Sequence, residues 1–507
     1  MKIPFTNFEL SLRVKPAAGR PPASKRSYAA ARSDRITADW PASQSSANSE
    51  IYQSAPIIRA RNRQLERDND YFRRMLRLLE NNVVGHKGIR LQNKARDFIG
   101  KDPKTGAPIW RTDTSANSLI EQAWAKWNKP ENCTVMGNLS GVDLQRMIVR
   151  RFATDGGLLL RLHRNFTNPF GFAVEPFEID RLDFNYNTTL NGNEVMFGVE
   201  LNKYRAVVAF HVLTRHPGDY WVGNYQRGEQ NYRTRVLVKD MLLVHGGHER
   251  AEQVFPMPIW TSLSLRLWQL ERYEESVQIA SRIAACKGVY IKQTAEDGKP
   301  YDGPTNAGQP IEDVEPGMQT RLGVGEEPVL FDPKFPMNET EGYIKSQIRG
   351  AASGSNLSSH AVGNDLSDVN YSSIRAGRLE DQEEYKTLQS RLEDYYMTPI
   401  FEVWLEHAIL SQQVPLPIIK YDKFNAPAWR PRRWDWVDPE KDVNAKIKSI
   451  AARLETREDV IEEAGGDMEE VDAQFAADPV LKDLPVVQAY LDKVPLPPAP
   501  AGAAAVA

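Results

Sequence analysis

The sequence is poor in cysteine, carries no surplus of positive charge and has no long apolar run. Only Cys133 and Cys286 occur among its 507 residues. Two cysteines so far apart make neither a disulfide scaffold nor a zinc centre. The chain suits a reducing compartment or an assembly stabilised in some other way. Its 64 Lys and Arg stand against 67 Asp and Glu, a formal net charge of −3. A protein that grips DNA through phosphates usually carries a basic surplus, so any contact with nucleic acid is expected to be local, weak or sliding. No stretch of about 18 apolar residues occurs, and no membrane span is expected. The start, MKIPFTNFEL, has a lysine but no apolar core, so no signal peptide is expected.

Catalytic signatures are missing as well. A phosphate-binding loop of the form GxxxxGK(S/T), in which backbone amides and a lysine hold phosphates, does not occur. HGGH at His245–His248 is like the glycine-rich oxyanion loop of lipases, but no GxSxG elbow supplies a nucleophile. It reads as a turn at a strand end. Its two histidines have no other His or Cys near in sequence to complete a metal site. Asp68-Asn69-Asp70 and Glu384-Tyr385-Lys386 fit short carboxylate patterns of nucleases, yet strings so short arise by chance, and both fall in charged helices. No catalytic residue, metal or cofactor is expected.

What is present is an ordinary globular composition, 41% hydrophobic and 26% charged, with room for about three domains. Eleven Trp and eighteen Tyr imply large buried or interfacial surfaces. Residues 1–50 hold eight Lys and Arg against four Asp and Glu, a composition that predicts a disordered basic arm. The final PLPPAPAGAAAVA has too few large apolar side chains to pack. Helical spacing of Ile57, Ile58, Leu65, Phe72, Leu76 and Leu79 predicts a helix over 54–82, closed by Gly85. Its seven arginines from Arg59 to Arg77 are expected to pair with Glu66, Asp68, Asp70, Glu80 and neighbouring subunits. A second helix is predicted over 115–127.

Residues 150–255 read as sheet in an α+β body, with GLLLRLH, VMFGVEL, AVVAFHVL and VLVKDMLLVH as strands. At Pro256 the pattern changes. Pro258 suits a first helical turn, and apolar residues from Ile259 to Ala284 then predict one helix of about 28 residues, roughly 42 Å long. VYIKQT and PVLFDP bound a small Gly/Pro-rich acidic insertion. A helix follows, with Asn338 as a plausible cap. A stretch from Ser353 to Ser373 contains no Lys or Arg. A last long helix runs from Asn370 to Leu410, and Pro399 should kink it. After the Trp-rich AWRPRRWDWVDP, short helices are predicted over 440–490.

Four strings in order resemble the lambda-like family of tailed-phage portal proteins. They are RARNRQLERDNDYFRRMLRLLENNVVGHKGIRLQ (59–92), EPFEIDRLDF (175–184), AVGNDLSDVNYSSIRAG (361–377) and WDWVDPEKDVNAKIKSIAARLETREDVIEEAGGDMEEV (434–471). In the third, Asn370, Tyr371, Ser372, Ser373 and Arg375 carry the most specific match. At HERAEQVFPMPIWTSLS the chain departs from the family's RxGQxRGxP-like string, which only Arg250 and Gln253 echo. The resemblance implies a multidomain α+β portal fold. Its parts would be an arm (1–50), an α/β wing (51–256), a first stem helix (257–287) and a small α/β clip (288–337). A second stem helix (338–353), a tunnel loop (354–369), a kinked tunnel helix (370–410), a return crossing to the wing (411–439), a helical crown (440–490) and a disordered tail (491–507) would follow.

The resemblance further implies a ring of twelve copies at one capsid vertex, through which double-stranded DNA enters and leaves. The terminase large subunit would dock on it, and later a head–tail adaptor. The major capsid protein and scaffold would surround it. Ser358, Ser359, Asn364, Asp365, Ser367 and Asp368 would line the channel. Asn370, Tyr371, Ser372, Ser373 and Arg375 would form a hinge that aims the loop, with Asn370 capping the helix through the amide of Ser372 or Ser373. Lys292, Glu312, Asp313 and Glu315 of the clip would meet terminase and adaptor. The helix from 370 to 410 has eight acids against four bases, so twelve copies would present a negative ring that lets a duplex slide. The alternatives are a packaging enzyme of the terminase kind, disfavoured by the missing phosphate loop, and a head–tail adaptor, usually a much shorter chain. The location implied is the virion, with assembly in the host cytoplasm.

Overall fold

A computed structural model describes residues 38–42, 44–101, 108–219, 232–285, 289–293, 305–306, 309–310, 326–330, 339–367, 370–434 and 439–463, with a few isolated positions besides. Helix α1 spans Ala47–Asp68. It begins inside the stretch expected to be a disordered arm. One reason is local, since the Ser46 hydroxyl accepts from the Ser49 amide; the other is tertiary, since Asn48 donates to the Glu252 carbonyl and accepts from the Val254 amide. The expected single helix over 54–82 is two. Asn69 has extended backbone and breaks it, and α2 restarts over Asp70–Leu79. The Asn69 carboxamide accepts from the Phe72 amide at 2.9 Å, and a short polar side chain that bonds the backbone in this way ends one helix and starts the next. A π turn over Glu80–Val84 prolongs α2 until Gly85, at φ 73°, closes it.

Helix α3 spans Thr114–Trp127, α4 is the single turn Pro130–Cys133, and α5 spans Gly141–Thr154 behind a reciprocal Ser140/Asp143 cap. The apolar runs that follow make two antiparallel sheets. Three strands lie in the order 241–245, 157–164, 172–177; five lie in the order 233–237, 207–213, 199–201, 193–196, 188–190. VMFGVEL is not one strand. Phe197 and Gly198 both have positive φ, 53° and 77°, the two-residue turn whose twist suits a hairpin, so 193–196 folds back on 199–201. VLVKDMLLVH is likewise cut at Val238–Asp240, which passes the chain from the larger sheet to the smaller. The HGGH turn does end a strand, 241–245. The His245 and His248 rings lie 4.3 Å apart, and burial pushes the His245 imidazole down to about 4.

The long helix α6 spans Thr261–Ala285. Pro258 lies before it rather than in its first turn, where its carbonyl accepts from the Thr261 amide and hydroxyl. Gln253, one of the two echoes noted in sequence, is buried there. Its carboxamide accepts from the Glu249 amide and donates to the Phe255 carbonyl, shaping the turn into α6. Beyond α6, strands 289–293 and 326–330 pair antiparallel, as do 305–306 and 309–310. Helix α7 spans Glu339–Ser355, α8 Ser359–Gly363 and α9 Tyr371–Leu392; a π turn at Glu393–Met397 joins α9 to α10, Thr398–Leu410. The kink expected at Pro399 therefore takes the form of a π turn just before it. Proline lacks the N–H that an α turn needs, and the Thr398 amide reaches back five residues to the Glu393 carbonyl. The short α11 (Tyr421–Phe424) precedes strand 427–430, which pairs with 90–93. Helices α12 (Pro439–Ala451) and α13 (Arg457–Glu463) complete the described chain.

The tryptophan wealth is explained by the main core. Trp124 packs 4.9 Å from both Trp127 and Trp404, with Phe401 and Trp429 against it. The arginines of α1 and α2 do not mainly pair along their own helix. A chain of alternating charges runs Glu80–Arg150–Glu66–Arg151–Asp155–Arg63–Asp180–Arg59. It ties α1 and the end of α2 to α5 and to the 175–184 segment. Arg59 is only 3% exposed, and its guanidinium lies 5.0 Å from the centre of the Phe255 ring.

Candidate functional site

The segment between α7 and α9 has few large apolar side chains and two glycines, Gly354 and Gly363, a composition that predicts a mobile loop. Its described residues are instead folded and tied down. Helix α7 continues through Gly354, where an added Cβ would stand 3.4 Å from Leu263 and Ser262 of α6. That is ordinary van der Waals contact, so α7 passes α6 there without requiring glycine. The helix ends at Asn356, left-handed at φ 54°, and the Leu357 amide bonds the Ala352 carbonyl. This is the six-to-one closure that usually takes glycine. Gly363 lies in α8, near Ile348 of α7.

Asp381, on the third turn of α9 and 6% exposed, holds the start of α8. It accepts from the Ser358 amide and the Ser358 hydroxyl, each at 2.6 Å. Burial pushes its carboxyl up, against the pull of those two bonds. Arg74 of α2 holds the other end: its guanidinium donates to the Ala361 carbonyl at 2.6 Å and to the Asn364 carboxamide at 2.9 Å. Further along, Asp365 accepts from both the amide and the hydroxyl of Ser367, and its second oxygen lies 3.3 Å from the Lys345 ammonium. Those Ser367 bonds, with Lys345 adding, hold the Asp365 carboxyl down at about 2. A groove of about 670 Å³ opens beside this loop, between α7 and α9, with Ser358, Ser359 and Glu380 in its wall.

The start of α9 is capped by Asn370, whose carboxamide accepts from the Ser373 amide at 2.9 Å while the Asn370 amide donates to the Ser373 hydroxyl. The choice between Ser372 and Ser373 falls on Ser373. Arg375 reaches Asp442 of α12 at 3.0 Å. Asp368, the side chain of Tyr371, and Glu312, Asp313 and Glu315 lie outside the described residues. Lys292 lies in strand 289–293, opposite Glu327 in register. Seven of the residues singled out in the loop and the helix start, Ser358, Asn364, Asp365, Ser367, Asn370, Ser373 and Arg375, are thus engaged within one copy. The residues that hold them, Asp381, Arg74 and Lys345, were missed. Arg74 lies 287 positions from its partner Ala361, and no local spacing carries such a signal.

The short carboxylate patterns have other partners. Asn69 of the first is a helix cap. In the second, Glu384 accepts from Asn356 and Lys386 pairs with Glu383. Among the described residues, Glu178, Asp180 and His216 place ligand atoms near one another, but Asp180 already receives Arg59 and Arg63.

The four sequence strings meet one another. The first touches the second through Arg59 and Arg63 on Asp180, the third through Arg74 on Ala361 and Asn364, and the fourth through Asn82, which accepts from the Trp434 indole at 3.0 Å. The third touches the fourth through Arg375 and Asp442. They are one contact set spread over the chain. A profile described as "Phage portal protein, lambda family" matches residues 33–389. A protein named "Probable portal protein" from Halomonas phage phiHAP-1 is 29% identical over 470 residues, covering 91% of this chain and 88% of its own. Among solved structures, the "Neck of empty GTA particle computed with C6 symmetry" aligns with a TM-score of 0.41 at 10% identity, over 80% of this chain and 93% of that one. The "Neck of native GTA particle computed with C12 symmetry" gives 0.40 at 9%, over 78% and 91%. This chain belongs to the lambda family of phage portal proteins.

Proposed function

We propose that this portal protein forms a ring of about twelve copies at one capsid vertex, and that the ring is the passage for double-stranded DNA during packaging and ejection. Membership of the family carries this reading. On it, 51–256 is the wing, α6 and α7 are the stem helices, 289–330 belongs to the clip, and α9, the π turn and α10 form the kinked tunnel helix. Helices α12 and α13 begin the crown. The tunnel loop (354–369) faces the DNA, and among its described residues Ser359, Asp365 and Ser367 are exposed or half-exposed. The clip, with Lys292, Glu312, Asp313 and Glu315, receives the terminase large subunit and later a head–tail adaptor. The wing rim meets the major capsid protein and scaffold. The chain performs no catalysis of its own, and its work is to hold, orient and let slide.

The charge picture is narrower than the sequence count suggests. Of the eight acids in 370–410, Asp381 is buried under Ser358, and burial beside Asp394 pushes Glu393 up to about 7. The negative character of the passage then rests on the exposed acids. Purified protein imaged in negative stain is expected to show rings with a central hole. Monomers or open filaments at all concentrations would overturn the reading.

A further inference from the structure

Two grooves of opposite sign flank α8. One, of about 420 Å³, lies along α2 and is lined by Arg73, Arg74, Arg77, Leu78 and Asn81, with Asp70 at its lip. Arg74 is spent on α8, but Arg73 and Arg77 are exposed. They stand four residues apart on one helix face. The other is the groove of about 670 Å³ between α7 and α9, where Glu380, Glu383 and Glu384 line one wall. Glu383 pairs with Lys386, and Arg349 at the rim is not free. Glu380 and Glu384 remain without a cation partner, again four residues apart, although Glu384 also accepts from the Asn356 carboxamide. Among the described residues none of Arg73, Arg77, Glu380 and Glu384 makes an ion pair.

Like charges at i and i+4 weaken a helix, so each of these pairs gains from an opposite charge brought close to it. The two sets match in spacing, since both are one helical turn apart, and they are opposite in sign. They cannot serve each other within one copy as folded, because α8 is held between their helices by Arg74 on one side and Asp381 on the other. A closed ring needs two different, complementary patches on every copy. We propose that Arg73 and Arg77 of one copy dock against Glu380 and Glu384 in the α7–α9 groove of the next, forming a charge clasp between neighbours. The occupant of the acidic groove is thus a second copy of this chain. This rests on the ring reading above and names the surface that closes it. It also takes Glu380 and Glu384 away from the DNA.

Complementary charges across an interface fix register, and like charges placed together cost several kcal/mol. The Arg73→Glu/Arg77→Glu chain and the Glu380→Arg/Glu384→Arg chain should each lose association by about a hundredfold or more in sedimentation velocity. Each should keep the helical circular dichroism of the original. Mixed one to one, the two chains should restore rings, because every contact in an alternating ring then joins opposite charges. The chain carrying all four changes should also form rings alone. The proposal is overturned if either reversed pair still forms rings by itself, or if the mixture stays dissociated while both chains are folded. It is also overturned if the Arg73→Glu/Arg77→Glu ring assembles normally and only retains DNA poorly, which would make the basic groove a phosphate contact. If the unaltered protein forms some other closed oligomer, the ring reading fails while the mixing experiment still tests the clasp.

Discussion

At the residue scale, the loop depends on a buried carboxylate that a sequence reader counts as one more surface acid. Asp381 satisfies both the amide and the hydroxyl of Ser358. Asp381→Ala leaves two donors without a partner in a half-buried place, at a cost of about 1–3 kcal/mol. The expected outcome is faster hydrogen exchange at the Ser358–Val362 amides, with α10 unchanged; equal exchange in both segments would mean that Asp381 does not hold the loop. Glu393 gives a pH signature. In the fold its carboxyl keeps its proton to about pH 7, whereas in the unfolded chain it releases it near 4.5. Its contribution to stability is therefore fully present below pH 4.5 and is lost as pH rises through 7. Glu393→Gln removes the ionised form altogether, so its melting temperature should exceed that of the unaltered protein at pH 8 and match it at pH 4. A constant difference at both pH values would show that Glu393 titrates normally.

At the element scale, the breaks in the helices carry the information. Asn370→Ala removes the side-chain acceptor of the Ser373 amide and should cost about 1 kcal/mol. That is too little to unfold a body this size, so the effect should appear as exchange at the first turn of α9 and not in ring yield. Asn356 sits at φ 54°, a conformation that glycine adopts without strain, and Asn356→Gly should be close to neutral, within about 0.5 kcal/mol. A loss of more than 2 kcal/mol would mean that the Asn356 bond to Glu384 matters more than the backbone. Much of the element plan was legible in sequence. Apolar spacing gave α3, α6 and the 371–410 helix, and strand runs with turn residues gave the sheets. The Asn69 break was not legible, because Asn is tolerated within a helix and its role depends on the Phe72 amide and on α6 beside it. The π turns were equally hidden, and Pro399 marked only that a kink was required. At the site, the caps could be read from the string NYSS, since a cap is local. The tethers from Arg74, Lys345 and Asp381 could not, since they join helices far apart in the chain.

At the scale of the whole molecule, the question is how a ring grips its neighbours firmly and its cargo weakly. The half-buried charge chain from Glu80 to Arg59 ties α1, α2 and α5 together within each copy, and in the proposed clasp Arg73, Arg77, Glu380 and Glu384 serve the contact between copies. Deleting 295–308 from the clip should leave rings intact and stop packaging, read by capsids that stay empty; normal filling would remove the clip from the docking role. The loop can be tested without breaking it, because the structure separates its charge from its fold. Asp365 does two jobs: it accepts from Ser367 and it pairs with Lys345. Asp365→Asn keeps an oxygen to accept from the Ser367 amide and removes one negative charge per copy. Asp365→Lys with Asp368→Lys changes four charges per copy, about 48 in a ring of twelve, where duplex DNA presents one charge per about 1.7 Å. It also sets a lysine against Lys345 and so unseats the loop. If the loop faces the duplex, the Asn variant should package at nearly the original rate, and the double lysine variant should stall at low salt and recover as salt screens the new charge. A stall that salt does not relieve would trace to the lost tether rather than to the DNA. Packaging at the original rate by the double variant at low salt would mean that Asp365 and Asp368 face away from the passage, and the DNA-facing surface would have to be sought on another part of the kinked helix.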